Sequence, residues 1–422
     1  MKSICLALLI VTGAATAPSG EPFRTDINPA LIYYRAAQLA PDLAPADRDY
    51  LFANEWRGQK LPERFGALVA RYDNEFKLAR QAAHATVPCD WGLDMSAGPF
   101  TLLPHLARNR AMAQAARLRV MWALQQGRPA DARDDLLAAF TLGRNSATDG
   151  LMISAFVQIA IENTVCSTVA ENFHQFSPET LKQLAEGFAA APPRCTIAAC
   201  IPAEKSSFPV WLVGKILELR KENPGNDAKV MAGIHELFAF MDAPGEGESV
   251  PLQPSPWEQV TEAAGGASEG VLKLLRQLEP LYQRFAAIMA LPPSEFEAQM
   301  KPFYAEIVHS PNPFVSLNFT ALWKARSREF ANLAELAMVR AAVEYKLHGE
   351  PGLQSVTDPC GQGPFAFERF VLEGVDRGFV LKSAYEGRGF PQVLIFVEKD
   401  GPPFMVNGKN AGLAPPKSST PK

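Results

Sequence analysis

The sequence predicts a mainly α-helical protein of irregular helical hairpins, α-solenoid-like or bundled, with a small C-terminal antiparallel β subdomain. Apolar residues recur at helical spacing through most of the chain, as in Phe65, Leu68, Val69, Tyr72 and Phe76. The 35 prolines among 422 residues cluster at junctions, some directly after a capping residue, as in Asn28-Pro29 and Ser177-Pro178-Glu179. After His348-Gly349-Glu350-Pro351-Gly352 the pattern changes to short β-type runs bounded by Gly and Pro.

The chain opens on an export signal. Lys2 supplies the positive start, residues 4–11 (ICLALLIV) the apolar run, and Ala15-Thr16-Ala17 a small-residue cleavage site. The run is too short to cross a bilayer, which needs about 20 residues. Pro18 follows the expected cut and hinders it, so the signal is either cut nearby or kept as a tether. No later run of about 18 or more apolar residues suggests a transmembrane domain. The expected location is outside the cytoplasm, periplasmic or extracellular.

Past the signal, Asn28-Pro29 opens a helix that continues over 30–39. A long helix is expected over 61–83. Residues 87–99 (VPCDWGLDMSAGP) break the pattern, and a helix resumes near Phe100 and runs to Gln126, stopped by Gly127. Further helices are expected over 130–142, 150–173, from Pro178 to Pro192-Pro193, and over 207–221, 227–241, 269–290, 294–308 and 322–347. Strands are expected over 365–372, 378–383 and 393–398. This gives a signal over 1–17, a helical domain over 18–241 and a Pro/Gly/Glu/Ser-rich linker or long loop over 242–256. A second helical region over 257–347, a β-rich subdomain over 348–409 and a disordered tail over 410–422 complete it.

Two resemblances accompany these elements. The hairpin of 106–126 and 130–142, with its turn Gly127-Arg128-Pro129-Ala130 followed by Ala132, Leu136 and Ala139, resembles the second half of a tetratricopeptide unit. No repeat of about 34 residues extends it. The run from Ala341 (AAVEYKLHGEPG), then Asp358-Pro359-Cys360-Gly361, then a strand pair ending at Ser383, resembles the tail of type II secretion pseudopilins and of many uncharacterised exported bacterial proteins. That resemblance implies a small sheet packed on the preceding helix. The chain departs from the pseudopilins in lacking their N-terminal glycine cleavage site and long hydrophobic helix. It also has Ala384-Tyr385-Glu386-Gly387 where a glycine–aspartate ending would stand.

Composition bounds the function. Hydrophobic residues make up 47% and charged residues 20%, an ordinary globular balance. The formal charge of −4, or −5 once Lys2 leaves with the signal, argues against nucleic acid as a partner. Of six cysteines, Cys89, Cys166, Cys195, Cys200 and Cys360 remain after cleavage. Export makes disulfides plausible. The odd number leaves at least one thiol unpaired in a monomer, and pairing is open among these five. Cys195 and Cys200 stand close enough in a proline-flanked loop to bridge locally. A zinc site would need a second pair at ligand spacing, so no metal and no cofactor are expected.

The densest polar cluster surrounds the first broken loop: His84, Cys89, Asp90, Trp91, Asp94 and His105, followed by Arg108 and Arg110. Asp90, Asp94 and a histidine suit a divalent cation, and Cys89 with His84 or His105 suits a nucleophile and base. A structural role accounts for the same residues: Asp94 and Ser96 cap turns, Trp91 plugs a core and Cys89 is buried or bridged. Gly266-Ala267-Ser268-Glu269-Gly270 matches G-x-S-x-G, but the strand that such an elbow needs is missing before it. Arg326, Arg328, Glu329 and Arg340 lie on the long late helix, where the arginines read as a solvated face or as partners of Glu335 and Glu344. The expected function is a non-catalytic binding or envelope-structural protein with an envelope protein as partner. The alternatives are an exported enzyme, such as a metal-dependent hydrolase, with its site in 89–105, and an accessory component of a secretion or pilus-like assembly.

Overall fold

The computed structural model describes residues 24–52, 60–242, 255–319, 323–387 and 390–399. The expected export signal over 1–17, Cys5, most of 242–256 and the expected tail over 410–422 lie outside the described residues. Helices α1 (Pro29–Leu39), α2 (Pro45–Phe52), α3 (Arg64–Ala70) and α4 (Asp73–Ala83) come first. The hairpin α5 (Pro104–Gln125) and α6 (Pro129–Asn145) follows, then α7 (Met152–Glu171) and α8 (Pro178–Ala190). Shorter helices continue: α9 (Ile197–Lys205), α10 (Trp211–Glu222), α11 (Asp227–Asp242), α12 (Pro256–Ala263), α13 (Ser268–Arg276), α14 (Leu278–Met289), α15 (Pro293–Val308) and α16 (Pro313–Phe319). The long α17 (Trp323–His348) and the short α18 (Glu350–Gln354) lead into strands β1 (Ala366–Leu372), β2 (Val375–Gly387) and β3 (Phe390–Val397). The protein is mainly helical with a three-stranded antiparallel sheet at its C-terminus, ordered β1-β2-β3.

Several elements differ from the sequence expectation. The helix over 61–83 is two helices, because the chain leaves α3 through a tight turn in which Tyr72 N bonds to Val69 O. The expected helix over 269–290 divides at Gln277 into α13 and α14. The helix foreseen from Phe100 begins at Pro104, after a short 3-10 turn over Met95–Phe100. The loop assigned to Cys195 and Cys200 holds the start of α9, capped by Thr196, whose side chain accepts from Ala199 N.

Two hydrophobic cores organise the helices. The first gathers α1 to α6, α8 and the sheet; the second gathers α9 to α16. The helices before residue 242 and after residue 256 thus meet in one core, so the cores are not coextensive with 18–241 and 257–347. Helices α7 and α17 belong to both. Met152, Ala155 and Ile159 of α7 face the second core, while Ile161, Val165 and Val169 face the first. Ala325 and Phe330 of α17 face the second, and Met338 and Ala342 the first. By length and composition α7 could cross a membrane, but most of it is buried inside the protein and it carries fully buried Glu162.

The sheet packs through aromatic stacking. Phe379 lies 5.1 Å from Phe396 and 5.1 Å from Tyr345 of α17, and Phe173, just after α7, lies 5.3 Å from Phe396. The β1–β2 hairpin turns on Glu373 (φ 50°) and Gly374 (φ 79°), with Leu372 and Val375 paired. Both central residues are left-handed, as the turn that matches strand twist requires.

Candidate functional site

The loop over 85–103 is tied down from both sides. Thr86 N and Oγ1 donate to Thr25 O at 2.8 and 3.1 Å. Asn28 caps α1 by accepting from Ala30 N, and its amide also pairs with the Asp90 backbone, donating to O at 2.8 Å and accepting from N at 3.1 Å. One side chain therefore starts a helix and fixes the loop beside it.

That clamp drives Trp91 into the first core. Its indole N–H donates to Asn145 O at 2.7 Å. The ring stacks on His105 at 4.3 Å and on Tyr33 at 5.9 Å, and meets Tyr34 edge-on at 5.4 Å. His105 is 1% exposed, and its Nε2 lies 3.8 Å from Asp149 Oδ2, beyond hydrogen-bond reach. Burial pushes the imidazole down to about 4, so it is neutral and the contact with Asp149 is not an ion pair near neutral pH. Burial pushes Asp149 up, against hydrogen bonds from Ser154 Oγ and Leu151 N.

The sequence-chosen residues do not converge. Cys89 and His105 turn inward, whereas His84, Asp90 and Asp94 remain exposed. Asp90 accepts from Gly92 N at 2.9 Å, and Asp94 caps the 3-10 turn by accepting from Ser96 N at 2.9 Å, which holds its carboxyl below the usual range. Burial pushes the Cys89 thiol up to about 12, the opposite of what an attacking sulfur needs. Among the described residues no group of three or more His, Cys, Asp or Glu side chains could hold a metal ion.

The G-x-S-x-G stretch is a helix junction. Helix α12 precedes it, Gly265 and Gly266 turn the chain at positive φ, and Ser268 opens α13. Ser268 is buried, and both its N–H and its hydroxyl donate to the Asp227 carboxylate. On α17, Arg328 and Arg340 face solvent, but Arg326 and Glu329 are buried and pair with each other rather than with Glu335 or Glu344.

A buried ion cluster centres on α7, the helix shared by the two cores, at Glu162, Arg144 and Arg194, which the sequence did not single out. Glu162, 0% exposed, takes Arg144 at 2.8 Å and Arg194 at 3.4 Å. Glu329 accepts from Ile197 N at the start of α9, and Gln158 of α7 pairs with both backbone groups of Cys195, at 3.1 Å each. The signal was a lone acid within an apolar helix, the run A-I-E-N-T-V of α7. A separate cleft of about 100 Å³ is lined by Asp73, Arg119, Trp122 and Asp135. Arg119 already directs its guanidinium to Asp135 at 2.9 Å and Asp73 at 2.6 Å, and Arg80 holds Asp135 at 2.7 Å, so the cleft closes on itself.

Fold and geometry together define a helical protein with two cores, a shared two-helix spine and a C-terminal antiparallel sheet. No family model, curated protein or solved structure matches the chain.

Proposed function

We propose that the chain is an exported, non-catalytic helical protein that docks an envelope protein through an exposed apolar surface. The observation that carries this reading is the meeting of the 95–100 turn with the start of α10. Trp211 donates its indole N–H to Ser96 O at 3.0 Å, and Phe100 meets the Trp211 ring edge-on at 5.8 Å. Gly98 (φ 57°) lies so close to that ring that a Cβ would fall 2.5 Å from it, so only glycine allows this approach. Met95, Phe100 and Leu102 of that turn and the stretch after it stay exposed, Leu102 at 83%, as do Val210 and Leu217 on either side of Trp211 in sequence. Val210, Gly214 and Leu217 follow one another at helical spacing along one face, and nothing lies within 4 Å of where a Gly214 Cβ would be. Apolar side chains gathered around aromatic anchors are how partner proteins are recognised. The buried state of Cys89 and His105 favours this reading over a catalytic one.

The test places a photo-crosslinking residue at position 102 or 217 in cells, with exposed Lys182 as the control site. Adducts of defined mass are expected at 102 and 217 but not at 182. Leu217→Glu is expected to abolish the adduct at 102 while leaving the unfolding midpoint unchanged. Equal adducts at the control site, or an adduct indifferent to Leu217→Glu, would sink the reading.

A further inference from the structure

Cys195 and Cys200 sit in and against the second core with their sulfurs 3.6 Å apart. They are not equivalent. Cys195 is partly exposed and lies just before α9, whereas Cys200 is 0% exposed in the first turns of that helix. The backbone between them is fixed at three points: Gln158 on Cys195, Glu329 on Ile197 N, and the Thr196 cap. The sulfurs are thus held together by contacts independent of any bond between them.

We propose that Cys195 and Cys200 form a dithiol–disulfide couple that closes by exchange with an organic disulfide, Cys195 attacking and Cys200 resolving. The Cys195 thiolate attacks one sulfur of the donor, breaking its S–S bond and releasing one thiol, which takes up the proton that Cys195 gave to solvent. Cys200 then loses its proton and attacks the Cys195 sulfur, forming the internal bond and releasing the second thiol. Two protein thiols are oxidised and one donor disulfide is reduced to two thiols. The hydrogen bond from Cys200 holds the Cys195 thiol below its usual range, and that same bond with burial pushes Cys200 up, which supports this order of attack. The other thiols are worse placed. Cys166 is fully buried, Cys89 is 7% exposed, and the Cys360 sulfur points to Phe330 O at 3.7 Å. Closing the bond would tie Cys195, which Gln158 of α7 holds, to α9, whose first residue Glu329 of α17 holds through Ile197 N. The inference is independent of the docking surface.

The experiment takes the full reduced chain, incubates it with glutathione disulfide, alkylates it and digests it with trypsin. Cleavage after Arg194 and Lys205 yields one peptide, 195–205, that contains these two cysteines and no other. Expected is an unalkylated peptide lacking two hydrogen atoms, restored to double alkylation by reductant. Cys200→Ala, which keeps a small apolar group in the buried site, is expected to stall at a glutathione adduct on Cys195. In Cys195→Ser, Cys200 is expected to remain without adduct on that timescale. Double alkylation throughout, a bridge from either residue to Cys360, or an adduct on Cys200 as fast as on Cys195 would overturn the proposal.

Discussion

The carboxylate of Asp358 and the hydroxyl of Ser383 meet at 2.8 Å across the junction between α18 and the sheet. The same Asp358 oxygen accepts from Ala384 N at 2.7 Å, and the other accepts from Cys360 N at 2.9 Å. Ser383 Oγ in turn accepts from Tyr385 N. One buried carboxylate therefore closes the Asp358-Pro359-Cys360-Gly361 turn onto the end of the hairpin. It seats β2 where Phe379 and Leu381 reach the first core while Tyr385 reaches the second. Residues 25 apart in the chain are thereby joined physically.

Replacing Asp358 with alanine leaves the buried Ser383 hydroxyl and the partly buried bonds of Cys360 N and Ala384 N without their acceptor. A buried orphan costs about 1–3 kcal/mol and water reaches the other two donors, so Asp358→Ala is expected to destabilise by about 3 kcal/mol. Ser383→Ala removes one donor from a carboxylate that keeps two others and leaves Tyr385 N without its acceptor, and is expected to cost about 2 kcal/mol. Urea unfolding of both variants checks the order; Ser383→Ala as harmful as Asp358→Ala would contradict it.

The Glu162 cluster makes a sharper demand. Removing the carboxylate strands two arginines, Arg144 and Arg194, at the boundary of the cores. Breaking a buried pair costs about 3–5 kcal/mol, whereas replacing every partner with apolar side chains is often neutral. Glu162→Ala is therefore expected to lose stability in that range. The triple variant Arg144→Met/Glu162→Met/Arg194→Met is expected to recover most of it. Denaturant midpoints decide; a triple variant weaker than Glu162→Ala would show that the charges hold the cores together rather than being tolerated there.

Helix starts were readable because a cap is local: Asn28-Pro29 and Ser177-Pro178 each bond within three residues. Breaks inside long periodic stretches were not. Phe65, Leu68, Tyr72 and Phe76 all face the first core on either side of the turn at Arg71, so the apolar rhythm runs through a change of direction. Helix α9 was missed because Pro202 lies inside it and reads as a stop. The candidate loop has no period, so nothing local told inward His105 from outward His84. That choice is made by Trp91, whose indole needs Asn145 O, 54 residues away.

Two buried groups set opposite pH slopes. Burial pushes Glu75 up to about 7, so its folded form keeps a proton that the unfolded chain releases near its ordinary value of about 4.3. Its contribution is full below that value and is lost as pH rises through about 7. Burial pushes His105 down to about 4 from an ordinary value of about 6.5, so its contribution is full above 6.5 and is lost as pH falls through about 4. Glu75→Gln is expected to flatten the loss of stability between about pH 4.3 and 7, and His105→Phe, which keeps the ring against Trp91, to flatten the loss between about pH 6.5 and 4. Thermal midpoints across pH check both; parallel curves for wild type and Glu75→Gln would refute the first.

The loop itself separates a structural plug from a surface site. Trp91 fills the space between Tyr33, Tyr34 and His105 and satisfies Asn145 O, so Trp91→Ala opens a cavity and is expected to cost about 3–5 kcal/mol. Trp91→Phe keeps the stacking but leaves the Asn145 carbonyl without the indole donor, and is expected to cost about 1–2 kcal/mol beyond the lost ring area. Asp94→Ala removes one exposed cap and is expected to cost less than Trp91→Phe. Asp90→Ala loses only the exposed bond to Gly92 N, because the Asn28 clamp holds the Asp90 backbone, and is expected to cost less than 0.5 kcal/mol. Chemical unfolding of the four variants tests the ranking. If Asp90→Ala proved as harmful as Trp91→Ala, the exposed carboxylate rather than the indole would be what organises the loop.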